Sequence, residues 1–238
     1  MEKHAKPVAL ITGANKGLGL EIARQLGQKG IAVVLGARQG KAEASAAALR
    51  ADGLDARAVE LDVTNAADVA ALPAFFEKNF GGLDILINNA GVQLDNGFDT
   101  SPDSLRQTYE ANVIGPYAIT QALLPLLRQA SAGRIVNQSS ILGSLTTISE
   151  GQGGSWATPG YTSSKAALNM LTVVLAQHLA DTNIKVNAAH PGWVKTDLGG
   201  EGAPLGVREG ARTAVRLALL PADGPTGGYF HEEESLPW

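Results

Sequence analysis

Tyr161 and Lys165 stand four positions apart in the stretch Gly160-Tyr161-Thr162-Ser163-Ser164-Lys165. On a helix that spacing puts both side chains on one face, one turn from each other. A phenol has an unperturbed pKa of about 10. An ammonium beside it favours the phenolate, so the pair is expected to exchange a proton closer to neutral pH. Such a pair gives or takes a proton at a carbonyl or alcohol oxygen. The same spacing also arises by chance in ordinary helices with one buried ring and one solvated amine, so the rest of the chain has to decide.

The elements that would position the pair are legible as apolar periods. Val8 to Ile11 is a short apolar run that ends in Thr12-Gly13-Ala14-Asn15-Lys16-Gly17-Leu18-Gly19, after which Leu20, Ile22, Ala23 and Leu26 take helical spacing. A strand, a glycine-rich turn and a helix start in succession form a phosphate cradle, because glycine admits a close anion and free N–H groups point at it. A purely structural tight turn would look the same. Further strands are predicted at Ile31 to Leu35, Ala56 to Leu61, Leu83 to Ile87, Arg134 to Gln138 and Ile184 to Ala189. Helices are predicted at Lys41 to Ala51, Asn65 to Phe80, after the capping sequence Ser101-Pro102-Asp103, at Tyr161 to Leu179 and, as one amphipathic helix, at Val207 to Leu219. Gly115-Pro116 predicts a kink near Asn112–Pro116. Leu145 to Pro159, rich in glycine, reads as loop, Gly228-Tyr229-Phe230 as an edge strand, and Glu232 to Glu234 as a solvated charge run. Alternating strands and helices predict an α/β fold, a doubly wound parallel sheet, with residues 1–238 as a single domain.

Composition narrows the function classes. The 238 residues are 45% hydrophobic, enough for a sizeable core, and the net charge is −4 with no basic stripe, which argues against nucleic acid. Cysteine is absent, and the four histidines are scattered without ligand spacing, so neither thiol chemistry nor a metal is expected. Met1 to Lys6 is short and polar without a signal-peptide core, and no apolar run is long enough for a bilayer. A soluble, cytoplasmic protein without a membrane partner is expected.

Several strand ends carry polar residues where open α/β sheets bind ligands. The second strand runs into Gly36-Ala37-Arg38-Gln39, with no Asp or Glu from Ile31 to Ala42. Arg38 stands where a dinucleotide fold accommodates a 2′-phosphate and Lys16 lies inside the glycine loop, although either cation suits plain solvated surface. Asp62-Val63 ends the third strand; Asp62 or Thr64 also suits the start of the next helix. Asn88-Asn89-Ala90-Gly91 ends the fourth and Ser139-Ser140 the fifth. Alternation sends only one of the two serines into a cleft. His190, at the end of the sixth, reads as a packing or loop residue.

Thr12 to Gly19, Asn88 to Gly91, Tyr161-x-x-x-Lys165 and Pro191-Gly192 resemble, in the same order, the signatures of the short-chain dehydrogenase/reductase family. Asn15-Lys16, Gly36-Ala37-Arg38, the insertion Leu145 to Pro159 (several residues more than the family usually has between Ser140 and Tyr161) and the final Leu-Pro-Trp are similar to its carbonyl reductase branch. The resemblance implies NADPH-dependent reduction of an aldehyde, ketone or quinone. Tyr161 would be the general acid, Lys165 would lower its pKa and hold the nicotinamide ribose, and Ser140 would polarise the carbonyl. Asn112 would support a proton relay. The resemblance implies NADP(H) binding by Gly13, Asn15, Lys16, Gly17, Leu18, Gly19, Arg38, Asp62, Val63, Asn89, Ala90, Gly91, Tyr161, Lys165, Pro191, Gly192, Val194 and Thr196, and a monomer or homodimer. The insertion, with Trp156, is expected to wall or cover the substrate end of the cleft, against the alternative of Trp156 packed on the neighbouring helix. A non-catalytic NADP(H) sensor or scaffold, or a reductase of an imine or sugar derivative, are the alternative readings.

Overall fold

Five consecutive buried residues make β1 (Val8–Thr12), the axis of the fold. The computed structural model describes residues 6–38, 40–95 and 97–238; Gln39 and the polar N-terminal segment up to residue 5 lie outside the described residues. After β1 come α1 (Gly17–Gln28), β2 (Ala32–Ala37), α2 (Ala42–Ala51), β3 (Ala56–Glu60), α3 (Ala66–Phe80) and β4 (Ile85–Asn88). Then follow α4 (Pro102–Tyr109), a π-helical stretch Glu110–Ile114, α5 (Gly115–Leu127), β5 (Arg134–Gln138), a 3-10 turn Ile141–Gly143 and α6 (Leu145–Ser149). A second 3-10 turn, Gly154–Trp156, leads to α7 (Pro159–His178), β6 (Lys185–Ala189), α8 (Val207–Gly210), α9 (Arg212–Ala218), β7 (Tyr229–His231) and β8 (Glu234–Ser235).

Among the described residues the strands form one eight-stranded sheet in the order β3-β2-β1-β4-β5-β6-β7-β8. All neighbours are parallel except β7 and β8. Side chains alternate across it, so Ala9 and Ile11 join Ile22, Leu26, Leu49 and Val215 on one face. Val8 and Leu10 join Leu72, Phe76, Ile119 and Leu123 on the other. Helices thus cover both faces, which is why the strands read as unbroken apolar runs. The chain reverses direction across the sheet at β1, which pairs with β2 on one side and β4 on the other. That switch point opens a crevice at the carboxyl ends of the strands.

The structure departs from the sequence expectations in places that have physical causes. The predicted loop 145–159 contains α6 and a 3-10 turn, because the Ser144 hydroxyl caps α6 by accepting from the Thr147 N–H at 3.1 Å. α7 begins at Pro159, not Tyr161, since proline suits a first helical turn. The predicted single helix 207–219 divides into α8 and α9 at Ala211, whose backbone stays helical (φ −72°, ψ −22°), so the amphipathic face runs on. β7 is not an edge strand, because β8 pairs with it outside, and Glu232 and Glu233 make the hairpin turn between them. The predicted kink at Asn112–Pro116 is the π-helical stretch. There the Gly115 N–H reaches back to the Glu110 carbonyl, five residues earlier. Asn65, rather than Asp62 or Thr64, caps α3 through its side-chain oxygen, which accepts from the Ala67 N–H at 2.9 Å.

Candidate active site

The crevice at the switch point is a cleft of about 1180 Å³. It is larger than the roughly 300–1,000 Å³ of a site for one small ligand. Every residue expected to touch the cofactor lies on its wall, as do Ser140, Tyr161 and Lys165. Asn112 does not; it is fully buried behind the wall.

The cradle half is built on close backbone approach. Gly13 has φ +65°, and a Cβ there would lie 2.9 Å from Ala90 Cα. A Cβ on Gly19 would meet Asn89 Nδ2 at 2.5 Å and Gly13 O at 2.7 Å. Thr12 Oγ1 joins the β1 and β4 ends by accepting from the N–H groups of Asn89 (3.0 Å) and Ala90 (2.9 Å). Asn89 Nδ2 in turn donates to Thr12 O at 2.8 Å. The first turn of α1 has no side-chain cap and no acidic residue. Its N–H groups and the positive end of its dipole are therefore directed at the cleft, the arrangement a phosphate requires. The residues fit a dinucleotide. Asn88 differs from its neighbours: it is buried in the sheet and donates to Asn137 Oδ1 at 2.9 Å.

Beyond the ends of β2 and β3, Arg38 and Asp62 face the cleft. Thr64 holds the Asp62 carboxyl below its ordinary range through its N–H, then its hydroxyl, and Arg38 adds to this. Lys16 is paired with Asp197 across the cleft mouth, both side chains largely exposed. The sequence offered no signal for that pair, whose partners stand 181 positions apart.

The reactive end joins α7 to the β5 end. Ser139 Oγ donates to Asn169 Oδ1 at 2.6 Å inside the protein, which leaves Ser140 as the serine beside the Tyr161 phenol. Burial pushes the phenol up to about 12, and the Ser140 hydroxyl offsets this only in part. The expected shift toward neutral is thus reversed, because taking a phenolate out of water outweighs the nearby ammonium. Tyr161 stays protonated through neutral pH, the state an acid needs. Burial also lowers Lys165 to about 8. Its Nζ lies 5.6 Å from the Tyr161 ring centre and donates to Gln138 O at 2.7 Å. Asn112 spends its side chain on structure, donating to Val92 O (2.8 Å) and Ser164 Oγ (3.0 Å) and accepting from the Val92 N–H (2.8 Å). His190 takes the loop role expected of it, its Nδ1 accepting from the Ile141 N–H at 3.2 Å just beyond Ser140. Burial, with a smaller push from His231, lowers His190 to about 3, so that acceptor stays neutral.

A pH effect follows from Lys165. Folded, it sheds its proton near pH 8, against 10.5 for a solvated lysine. Between those values the unfolded chain binds more protons, so stability should rise with pH across the window and be lost as pH falls through 8. Tyr161, raised from 10 to about 12, turns the slope downward only above pH 10. Urea titrations should show a wild-type gain from pH 8 to 10 of on the order of 2–3 kcal/mol over Lys165→Met. Equal slopes in the two proteins would contradict it.

The insertion meets the opposite wall through Trp156 and Trp193. Their rings are 5.7 Å apart at 59°, both about half exposed and both on the cleft. Trp156 thus meets the loop after β6 across the cleft. Trp193 went unread in the sequence; its place directly after Pro191-Gly192 at a strand end was the available signal.

A doubly wound sheet with a glycine cradle and an uncapped helix start on such a cleft has the form of a dinucleotide-binding protein. The family model described as short chain dehydrogenase matches residues 7–203. The chain is 34% identical to carbonyl reductase (NADPH) 1 of Mus musculus, over 98% of this chain and 99% of that protein. It is 33% identical to (-)-isopiperitenone reductase of Mentha piperita, over 96% and 97% of the two chains. The solved structure of an NADPH-bound carbonyl reductase from chicken fatty liver superposes with a TM-score of 0.86 at 30% identity, over 98% of this chain and 99% of that one. The chain belongs to the short-chain dehydrogenase/reductase family. Among the described residues no helix is long and apolar enough to cross a membrane.

Proposed function

We propose that this chain, an NADP(H)-dependent oxidoreductase of that family, reduces an aldehyde, ketone or quinone to the alcohol with Tyr161 as the general acid. The observation that carries the reading is a buried phenol, held protonated at neutral pH beside Ser140 and Lys165, at one end of a cleft whose other end is a glycine cradle. A binder without chemistry has no use for that grouping. When bound, NADPH supplies the hydride. Ser140 Oγ donates a hydrogen bond to the substrate carbonyl oxygen and Tyr161 Oη gives that oxygen its proton as the carbon is reduced. The Lys165 ammonium stabilises the phenolate left behind and holds the nicotinamide ribose. Asn112 fixes the Val92 backbone and the Ser164 hydroxyl and so supports the relay from behind the wall.

The cradle from Gly13 to Gly19, with Asn15 and Leu18, would hold the pyrophosphate, and Asn89, Ala90 and Gly91 the adjoining ribose. Asp62 and Val63 would bound the adenine. Arg38 would take the 2′-phosphate with Lys16 as a weaker second, since Asp197 already neutralises that ammonium. Pro191, Gly192, Val194 and Thr196 would line the nicotinamide. With a net charge of −4 and no cysteine, the reading is of a cytoplasmic protein without a nucleic-acid partner, a monomer or homodimer.

The half-exposed Trp156, resting on Trp193, supports the insertion as a wall over the substrate end. Trp156→Ala should change kcat/KM unevenly across a panel of carbonyl substrates, by roughly 10-fold for the larger ones, while the Kd for NADPH holds. A uniform small effect would mean that Trp156 only packs. The same panel, run with NADPH on the wild type, tests the reaction itself. Turnover of imines or sugar derivatives alone would redirect the substrate class.

A further inference from the structure

The first turn of α7 carries Tyr161 but does not cap itself. Its N-cap residue, Thr158, makes no side-chain cap, and the turn holds no acidic residue. The Thr158 hydroxyl instead accepts from Gln93 Nε2 at 3.3 Å. The N–H groups of that turn are taken by Asp95, 8% exposed, from a segment more than sixty positions earlier. Its Oδ2 accepts from the Gly160 N–H at 2.6 Å and from the Tyr161 N–H at 3.1 Å, and its Oδ1 accepts from the Tyr161 N–H at 3.2 Å. A Cβ on Gly160 would lie 3.1 Å from Oδ2 and 3.2 Å from Cγ, so Gly160 leaves the carboxylate its place.

Residues 92–95 thereby form a brace. One end is fixed where Asn112 both donates to and accepts from the Val92 backbone, at 2.8 Å each way. The other end holds the helix turn from which the phenol projects. Terminal turns fray when their N–H groups lack partners. A carboxylate at that end of a helix also opposes the positive end of the dipole. We infer that Asp95 is a positioning residue for the reaction, holding the first turn of α7 so that the Tyr161 phenol stays in register with Ser140 and Lys165.

The inference rests on the reading of Tyr161 as the acid. Because Lys165 sits a full turn further into α7, loss of the brace should move the phenol and spare the ammonium. Asp95→Ala should lower kcat by roughly 10- to 100-fold, the scale of a displacement of about 1 Å at a reacting group. The Kd for NADPH should stay within about twofold of wild type. Asp95→Asn, whose amide oxygen can occupy the Oδ2 position and accept from both N–H groups, should restore most of the turnover. Gly160→Ala, which helix propensity alone would favour, should lower kcat in the wild type and have much less effect when combined with Asp95→Ala. All are measured below the midpoint of thermal unfolding of each variant. If Asp95→Ala does not fold, Asp95→Asn and Gly160→Ala carry the test through the same split between kcat and NADPH affinity.

Wild-type kcat in Asp95→Ala, or in Gly160→Ala where Asp95→Ala does not fold, would overturn the inference. So would a parallel loss of kcat and NADPH affinity, or strictly additive effects of the two substitutions, since each describes a stabilising cap and nothing more. The two readings fail separately. Tyr161→Phe turning over like the wild type defeats the assignment of Tyr161, and the inference with it. An inactive Tyr161→Phe beside a fully active Asp95→Ala defeats the inference alone.

Discussion

Tyr161→Phe should lose turnover by roughly 10²- to 10⁴-fold, the contribution of a positioned general acid, while binding NADPH within about twofold of wild type. The substitution removes one oxygen from a ring that is 7% exposed and leaves the ring packing in place. Burial keeps the hydroxyl protonated at neutral pH, so the wild type has a proton to give and the phenylalanine variant has none. Ser140 can still polarise the carbonyl, but its ordinary hydroxyl is a far poorer acid and does not replace the phenol. Lys165→Ala should impair both turnover and NADPH binding, because the same ammonium serves both. Steady-state kinetics on a confirmed carbonyl substrate, with a fluorescence titration of NADPH, checks the split. Substantial activity in Tyr161→Phe would contradict the assignment.

Arg38→Asp should weaken NADPH binding by roughly 10- to 100-fold, since a hydrogen bond to a charged group is worth about 1.5–3 kcal/mol. It should also raise the efficiency of NADH, because a carboxylate there accepts from the free ribose hydroxyls and repels a 2′-phosphate. Arg38 directly follows β2 on the cleft wall. Lys16→Ala should have a smaller effect, its ammonium being already bound to Asp197. The ratio of kcat/KM for the two cofactors measures both. A wild-type protein that uses NADH as well as NADPH would reduce Arg38 and Lys16 to surface charge.

The frame of the fold was legible because its central strands are buried on both faces and contain little else than apolar residues. The cleft was legible because its glycines and strand-end polar residues fall in a recurring order. What escaped is tertiary. α6 is hidden between Gly143 and the glycine-rich stretch after Glu150, and only the Ser144 cap reveals it. β7 and β8, of three and two residues, are too short to carry a period. The spacing of Tyr161 and Lys165 predicted their proximity but not their protonation, since burial depends on everything packed around them. Ser139 and Ser140 were separable by alternation only once Asn169 was known to take the first. Asp95 and Asp197 find their partners across the fold, where no local pattern points.

The most direct test of the account is product analysis in a single reaction: purified protein, NADPH and a panel of aldehydes, ketones and quinones, following NADPH consumed and alcohol formed. One alcohol, or one hydroquinone, should form per NADPH for at least one class of carbonyl, with NADH much less effective. Tight NADPH binding with no carbonyl reduced across the panel would contradict it and leave a dinucleotide sensor built on an enzyme's frame.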